Sequence, residues 1–223
     1  MNAVVIMAGG SGRRMGSNIP KQYMDLQGKP LLVHTIDRFL QFDPRMMVVL
    51  VMANGHRKFW DVISISYNRG SEIVVAPGGK TRFDSVKSGL HFIEDGLIVG
   101  IHDAVRPFVS LDTIKRCYST AEKKGSAIPV VEMEESIRMV ESQDSSVYLD
   151  RAKLRRVQTP QVFRSEMIRK AYGQINDTGF TDDASVFESV FDQVTLVEGN
   201  RMNIKITTPE DLQLATSIIG NGS

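Results

Sequence analysis

The chain opens with the stretch Ala3-Val4-Val5-Ile6-Met7-Ala8-Gly9-Gly10-Ser11-Gly12-Arg13-Arg14-Met15-Gly16, an apolar run that leads directly into a glycine-rich segment. The apolar run has the length and composition of a buried strand. Glycines allow backbone N–H groups of the following loop to approach an anion closely, and arginines add paired donors for phosphate oxygens. The stretch therefore predicts a strand that ends in a loop for several phosphates.

The spacing of the glycines narrows the kind of phosphate loop. Gly10, Gly12 and Gly16 follow the pattern G-x-G-x-x-x-G, whereas a dinucleotide-binding loop requires G-x-G-x-x-G. The chain contains neither the G-x-x-x-x-G-K-[ST] sequence of a P-loop nor the H-R-D and D-F-G sequences of a protein kinase. Alone, these residues also fit a glycine-rich turn with solvated arginines, and the rest of the chain decides between the two interpretations.

The composition is that of an ordinary globular protein. The chain has 223 residues, of which 42% are hydrophobic and 24% charged, and this predicts one α/β domain with a sizeable core. A net charge of +1 argues against nucleic acid or an anionic membrane as the main partner. The sequence shows neither a signal peptide nor an apolar run of the ~20 residues that span a bilayer. Since Cys117 is the single cysteine, we predict a cytoplasmic protein without disulfides.

Strand-like apolar runs alternate with segments of helical periodicity along most of the chain. We predict strands at Val4–Met7, Met46–Met52, Ile73–Val75, Leu97–Ile101 and Ala127–Val131, and helices at Leu31–Phe42, Lys58–Tyr67, Phe83–Ile93 and Leu111–Lys123. This order is typical of an α/β fold with a Rossmann-like, mostly parallel sheet flanked by helices. In such sheets ligands bind at the carboxyl ends of the strands, so the loops after residues 4–7, 73–75 and 97–101 are the candidate site.

The alternation breaks between residues 132 and 158. Met139-Val140 and Val147–Leu149 are apolar runs separated by the polar segment Glu141–Ser146, and they predict a β-hairpin. Such a hairpin is either a surface decoration or, because an exposed apolar face needs a cover, a homodimerisation arm on a single domain of residues 1–223; we predict the arm. Beyond it we predict helices at Ser165–Tyr172, Asp183–Val190 and Pro209–Ile219, and strands at Val194–Val197 and Asn203–Ile206.

Two further loops carry polar groups at predicted strand ends. Pro77–Ser85 places glycines directly before a helix, where backbone groups and the Ser85 hydroxyl can contact the edge of a base. His102–Pro107 follows the fourth predicted strand, and Asp103 in it can hold Mg²⁺ against substrate phosphates, because Mg²⁺ takes one or two carboxylates plus phosphate oxygens. The competing interpretation is an ion pair of this carboxylate with Arg106 that only orders the loop.

Seven motifs together resemble one enzyme family. They are Gly9-Gly10-Ser11-Gly12-Arg13-Arg14-Met15, Pro20-Lys21-Gln22-Tyr23, Asp84-Ser85-Val86, His102-Asp103-Ala104-Val105-Arg106-Pro107, Thr159-Pro160-Gln161, Thr181-Asp182-Asp183-Ala184-Ser185, and Glu198-Gly199-Asn200 with Asn203-Ile204-Lys205. In this combination and order the chain resembles the 2-C-methyl-D-erythritol 4-phosphate cytidylyltransferases, the CTP-using enzymes of the non-mevalonate isoprenoid pathway. The resemblance covers residues 3 to about 215 without large gaps.

The resemblance implies that CTP and 2-C-methyl-D-erythritol 4-phosphate react to CDP-methylerythritol and pyrophosphate, with Mg²⁺ as cofactor. On matching positions it implies that Arg14, Lys21 and Lys205 are catalytic and that Asp103 binds the metal. The implied nucleotide-binding residues are Ala8, Gly9, Gly10, Gly12, Gly79, Ser85, Asp103, Ala104 and Arg106. The implied acceptor-binding residues are Ser136, Arg151, Thr159 and Lys205, with Ser136 and Arg151 reaching from the arm into the site of the other subunit.

Three other functions compete with this one. A ribitol-phosphate or other polyol-phosphate cytidylyltransferase would share the fold, the metal and the triphosphate loop, and analogy alone favours methylerythritol phosphate. A non-catalytic nucleotide sensor would not need Arg14, Lys21, Asp103 and Lys205 around an α-phosphate. A Rossmann dehydrogenase is excluded by the glycine spacing and by Met52-Ala53-Asn54, where an acidic residue would end the second strand.

Overall fold

The computed structural model describes residues 1–10, 19–68, 73–175 and 179–220. Within these ranges the strands are β1 Asn2–Ala8, β2 Asp25–Leu26, β3 Lys29–Pro30, β4 Met47–Met52, β5 Ile73–Pro77, β6 Ile98–Asp103, β7 Ser126–Glu132, β8 Ile137–Ser142, β9 Ser145–Leu149, β10 Arg155–Val157, β11 Gln161–Arg164 and β12 Leu196–Glu198. The helices are α1 Leu31–Phe42, α2 Arg57–Ser66, α3 Arg82–Leu90, α4 Leu111–Lys124, α5 Ser165–Gln174, α6 Asp183–Glu188 and α7 Pro209–Gly220.

The large sheet has the strand order β10-β7-β11-β6-β1-β4-β5, and β12 pairs with β7. β1 runs parallel to β4 and β6, and β4 runs parallel to β5, whereas β11 is antiparallel to both β6 and β7. The predicted α/β fold with a mostly parallel sheet is confirmed. The chain moves from β1 through β4 to β5 on one side and then crosses to β6 on the other, so a crevice opens at the carboxyl ends of β1 and β6.

Helices cover both faces of this sheet, and β1 shows why its sequence is apolar throughout. Val4 and Ile6 pack in the cluster that contains side chains of α1, α2 and α4, while Ala3 and Val5 pack in the cluster of α3, α5 and α6. All four residues are fully buried. Successive side chains of a strand point to opposite faces, so a strand covered on both sides has no position for a polar residue.

The structure corrects three sequence predictions. The fourth predicted strand does not end at Ile101 but continues through Asp103, whose register partner on β1 is Met7. The sequence patterns do not predict the short strands β2, β3, β10 and β11. The strand predicted at Asn203–Ile206 is wrong, because this segment has no strand pairing: Asn203 N donates to Asn200 O at 2.9 Å and Ile206 N to Val105 O at 3.0 Å.

The predicted hairpin is present as β8 and β9, which form a separate two-stranded antiparallel sheet. Its apolar side chains are exposed: the accessible fraction is 50% for Met139, 74% for Val140 and 63% for Tyr148. A two-stranded hairpin has little stability of its own in water, and these side chains are not covered by the chain that carries them.

In the part of the chain that the structure describes, no helix is both long and apolar enough to cross a membrane.

Candidate active site

A cavity of about 310 Å³ opens at the carboxyl ends of β1, β5 and β6. Its walls include residues from all three loops that the sequence singles out. The lining residues are Met7, Ala8, Gly9, Gly10, Lys21, Gln22, Gly79, Lys80, Thr81, Arg82, Ser85, Asp103, Val105 and Lys205. The site therefore lies where parallel strands end and the strand order reverses, as expected for this class of fold.

Gln22 connects the beginning of the first loop to the turn that carries Lys21. Its Nε2 donates hydrogen bonds to Ala8 O at 2.6 Å and to Gly10 O at 3.1 Å, and the side chain is buried. Lys21 thus begins a 3₁₀ turn beside the backbone of the first loop. The motif Pro20-Lys21-Gln22-Tyr23 contains this glutamine but does not by itself predict its role. The one sequence feature that points to such a role is its position next to the predicted phosphate-binding lysine.

The second loop is packed on the first turn of α3. Thr81 caps this helix in a reciprocal capping box with Asp84. Gly79 N donates to Ser85 Oγ at 2.9 Å, and the same hydroxyl donates to Thr81 O at 2.9 Å. A Cβ at Gly79 would lie 2.2 Å from the Cβ of Asp84, so only glycine permits this approach. The loop and the helix start thus form one packed unit that presents main-chain groups to the cavity.

Asp103 is the charged centre of the cavity. Its Oδ2 lies 3.0 Å from Arg106 Nε and 3.1 Å from Lys205 Nζ, and its side chain is 13% exposed. Burial would raise the pKa of Asp103, but the charges of Lys205, Arg106 and Arg82 hold it well below its usual range. The ion pair with Arg106 is therefore real, yet the same carboxylate also lines the cavity together with Lys205.

Lys205 lies on an irregular segment that several hydrogen bonds fasten to the strand ends. Arg106 Nη1 donates to Asn203 O at 2.8 Å, and Asn203 Nδ2 donates to Thr159 O at 2.8 Å. On the other side of Lys205, Ile206 is fully buried in a small cluster with residues of α7. These contacts replace strand pairing as the means of holding the lysine beside Asp103.

His102 and Thr159 support Asp103 from behind. Thr159 Oγ1 lies 2.9 Å from His102 Nδ1 and accepts a hydrogen bond from Asp103 N at 3.2 Å. His102 Nε2 lies 3.2 Å from Arg106 O, and burial lowers the pKa of His102 to about 4, so the ring is neutral at pH 7. His102 is a structural member of β6 whose two ring nitrogens are both occupied.

The structure brings most of the predicted site residues together. Those that line the cavity are Ala8, Gly9, Gly10, Lys21, Gly79, Ser85, Asp103 and Lys205. Ala104 is fully buried behind them, with its carbonyl accepting from Thr35 Oγ1 at 2.9 Å. Gly12 and Arg14 lie outside the described residues.

Ser136 and Arg151 are not among the residues around this cavity. Ser136 is exposed at the start of the arm, and Arg151 lines a separate groove of about 610 Å³ at the arm's base, where its Nη1 donates to Glu134 O. Arg82, in contrast, lines the cavity although it was not among the predicted site residues. An arginine at the start of a helix does not by itself indicate a site residue, and its ion-pair partner Asp183 lies 101 positions away in the sequence.

The donor set at Asp103 fits Mg²⁺ that is shared with a substrate. In the described part of the chain no three His, Cys, Asp or Glu side chains are grouped to hold a metal ion. Mg²⁺, however, is commonly bound by one or two carboxylates together with substrate phosphate oxygens. Asp103 supplies one ionised hard-oxygen ligand on the cavity wall, which meets that requirement.

Comparison with known proteins gives matches over nearly the whole chain. The family model described as 2-C-methyl-D-erythritol 4-phosphate cytidylyltransferase matches residues 2–221. A protein of that name from Bacteroides thetaiotaomicron is 45% identical over 217 residues, which are 97% of this chain and 99% of that protein. The crystal structure of the Francisella tularensis 2-C-methyl-D-erythritol 4-phosphate cytidylyltransferase is 33% identical, with a TM-score of 0.80 and coverage of 97% of this chain and 99% of that one. The Thermus thermophilus structure of the same name is 29% identical, with a TM-score of 0.80 and coverage of 98% of both chains.

Proposed function

The chain belongs to the 2-C-methyl-D-erythritol 4-phosphate cytidylyltransferase family, and we propose that it transfers the cytidylyl group of CTP to 2-C-methyl-D-erythritol 4-phosphate. The observation that carries the proposal is the convergence of Lys21, Lys205 and Asp103 on one cavity. The remaining walls include main chain of Ala8–Gly10 and Gly79. Lysines beside glycine-rich main chain suit a triphosphate, because both provide hydrogen-bond donors to anionic oxygens.

The reaction joins two anions, and this determines what the protein must supply. A phosphate oxygen of the acceptor forms a bond to the α-phosphorus of CTP, the bond from that phosphorus to the bridging oxygen of the β-phosphate breaks, and pyrophosphate leaves. A phosphate monoester is largely dianionic at neutral pH, so no general base is needed. The site must therefore align the two phosphates for in-line attack and compensate their charge.

Positive side chains perform this compensation in the proposed mechanism. Lys21 and Lys205 bind oxygens of the triphosphate and stabilise the charge on the α-phosphate during attack. Arg14, which lies outside the described residues, is proposed to have the same role. Asp103 would hold Mg²⁺, which supplies further positive charge to the triphosphate when bound. Lys205 is placed to reach a phosphate oxygen, because its ammonium group lies on the cavity wall 3.1 Å from Asp103 Oδ2.

Main-chain groups read the base in this proposal. Gly79 N donates to Ser85 Oγ at 2.9 Å and this hydroxyl donates to Thr81 O, so the loop is held in one shape beside the cavity that its residues line. Ala8–Gly10 line the same cavity and complete the described part of the proposed nucleotide site, while the predicted nucleotide-binding Gly12 lies outside the described residues. Arg106 and Ala104 contribute from behind, by holding Asp103 and the backbone after β6 in place.

The acceptor site is proposed to be completed by a second copy of the chain. Ser136 and Arg151 belong to the arm region and do not line the cavity of their own chain, whereas Lys205 lines that cavity and Thr159 lies behind its Asp103. The exposed apolar side chains of β8 and β9 support a homodimer in which each arm reaches the partner's site. A cytoplasmic location is part of the proposal and agrees with the free, buried thiol of Cys117.

The test is pyrophosphate release from CTP and Mg²⁺ with two acceptors offered in parallel. Release with 2-C-methyl-D-erythritol 4-phosphate alone, abolished by metal chelation, is the expected result. Release with ribitol 5-phosphate would assign the chain to the other polyol-phosphate branch. If CTP binds to the folded protein but neither acceptor releases pyrophosphate, the nucleotide-sensor function would replace this one.

A further inference from the structure

A buried ion pair closes one wall of the nucleotide cavity. Arg82 Nη1 donates to Asp183 Oδ1 at 2.8 Å and Nη2 to Asp183 Oδ2 at 2.5 Å, a bidentate arrangement across 101 positions of sequence. Asp183 is fully buried, and its Oδ1 also accepts from Tyr172 OH at 2.7 Å. Gln161 Oε1 accepts from the backbone N of Asp183 at 2.9 Å. Arg82 and Tyr172 therefore hold the carboxylate of Asp183, and Gln161 holds its backbone.

Arg82 stands between this buried carboxylate and the cavity. It is the first residue of α3, its side chain is 31% exposed, and it lines the cavity together with Asp103. Burial disfavours the charge of Arg82, but the carboxylate of Asp183 raises its pKa above the ordinary value, so the guanidinium stays charged. Two of its five N–H groups are used by Asp183, which fixes the plane of the fork.

The position of the base-reading unit depends on where α3 begins. This unit is the loop Gly78–Thr81 with Ser85, and its own hydrogen bonds connect Gly79, Ser85 and Thr81 to one another. At one end Gly78 N donates to Met52 O at 2.7 Å. At the other end Arg82, directly after Thr81, ties the unit through Asp183 to α6 and β11. A displacement of Arg82 therefore moves Gly79 and Ser85 together, because their hydrogen bonds link them to Thr81.

We propose that the Arg82–Asp183 pair is a positioning clamp that sets the base-reading unit and thereby determines selection of CTP over UTP. Cytosine offers an amino donor where uracil offers a carbonyl acceptor, so discrimination requires partner groups held in fixed positions. Arg82 is in this sense a positioning residue that acts through Gly79 and Ser85. The inference rests on the proposed function, because it takes the cavity to be the CTP site.

The experiment compares binding and turnover in three variants of the full chain. Arg82→Lys keeps a cation opposite Asp183 but loses the bidentate fork, and Tyr172→Phe removes one hydrogen bond from the carboxylate while leaving the pair intact. Asp183→Asn leaves the partly buried guanidinium without its partner charge and serves as the severe variant. Arg169→Lys, in an ion pair with Asp95 on the exposed side of α5, is the matched control.

Calorimetry with CTP and with UTP, in the absence of acceptor, gives the first readout. We expect Arg82→Lys to reduce the ratio of CTP to UTP affinity by about tenfold, Tyr172→Phe by less, and Arg169→Lys not at all. In steady state, the KM for CTP should rise in Arg82→Lys while kcat at saturating CTP and the KM for the acceptor stay within about threefold of wild type.

Two outcomes would overturn the clamp. An unchanged CTP to UTP ratio with a lowered melting temperature would make the pair purely structural, and a fall in kcat with unchanged KM for CTP would place Arg82 at the reacting phosphates. Because the ratio of CTP to UTP affinity is measured without acceptor, it still tests the clamp if the wild-type protein fails to turn over methylerythritol phosphate. A wild-type protein that binds neither nucleotide would instead overturn the proposed function and this inference together.

Discussion

The cavity at the strand ends and the arm are built in opposite ways. In the cavity Asp103 is held by Arg106 and Lys205 of the same chain, on loops of a sheet whose two faces are covered by helices. The arm is a separate two-stranded sheet with Val140 74% and Tyr148 63% exposed. The described walls of the cavity therefore come from one chain, whereas the apolar side chains of the arm are left uncovered by the fold that carries them. Substitutions in the two regions should accordingly differ in kind.

The largest expected effect is the loss of a charge inside the cavity. Lys205→Ala removes the ammonium group 3.1 Å from Asp103 Oδ2. We expect turnover to fall by about 10²–10³-fold, because that is the usual effect of removing a preorganised group that stabilises developing charge. Pyrophosphate release measures it, with Lys123→Ala on the exposed side of α4 as the control. A loss below about tenfold would remove Lys205 from the proposed charge compensation.

Arg151→Ala tests whether the arm serves the partner's cavity. We expect the KM for the acceptor to rise by at least about tenfold while the KM for CTP is unchanged, because an arginine fork suits the acceptor phosphate. Equal losses for both substrates would contradict the arm's role.

Mixing Arg151→Ala with Lys205→Ala sharpens this test. In a mixed dimer one site would receive an intact Lys205 from one chain and an intact Arg151 from the other. An equimolar mixture after subunit exchange should therefore recover about a quarter of wild-type activity if the arm acts in the partner's site. No recovery after demonstrated exchange would mean that Arg151 acts within its own chain.

Overpacking the sheet should affect stability rather than assembly. A Cβ at Gly89 of α3 would lie 2.5 Å from Val5 Cγ1 and 2.7 Å from Val51 Cγ2, both in the buried core. We expect Gly89→Ala to lower the free energy of unfolding by about 1–3 kcal/mol, measured by urea titration. Gly173→Ala is the matched control, since a Cβ at this exposed position of α5 would meet nothing within 4 Å and should leave stability equal or slightly higher. Similar losses in both variants would show that helix glycine content, not packing, determines the change.

The smallest expected effect on unfolding is in the arm. Val140→Asp places a charge on the exposed face of β8, and we expect the free energy of unfolding at low protein concentration to change by less than about 0.5 kcal/mol. Sedimentation should nevertheless show a shift from dimer to monomer, which Ser119→Asp on exposed α4 should not produce. An unchanged dimer would mean that another surface joins the chains.

The parallel part of the sheet is predictable because its strands are covered on both faces and read as continuous apolar runs. β10 and β11 give no such signal: Arg155–Val157 is mostly charged, and Gln161–Arg164 is four residues with polar ends. At Asn203–Ile206 the alternation of apolar side chains predicts a strand, but burial in a small cluster produces the same pattern without pairing. Local patterns report which side chains are buried, and not which backbone groups pair.

The position of the site follows from strand ends, while the contacts within it do not follow from spacing. Sequence motifs indicate Lys21, Asp103 and Lys205, and the structure places all three around one cavity. The clamp of Arg82 with Asp183 joins segments far apart in sequence, and no local rule predicts such a pair. The role proposed for Arg151 involves a second chain, and it comes from the family resemblance because no spacing or periodicity within one chain indicates it.

The contact between Gly79 and α3 has a consequence for inhibitors. Any side chain at residue 79 would place its Cβ 2.2 Å from Asp84 Cβ and 2.9 Å from the Asp84 carbonyl carbon, so a missense change there breaks the loop and does not reshape it. In the proposed function Gly79 contacts the base, so a compound that copies the base and binds these main-chain atoms could not be evaded by a substitution at Gly79. Resistance would then have to arise at other residues of the proposed base site, such as Ser85, where a substitution would also weaken recognition of the natural nucleotide.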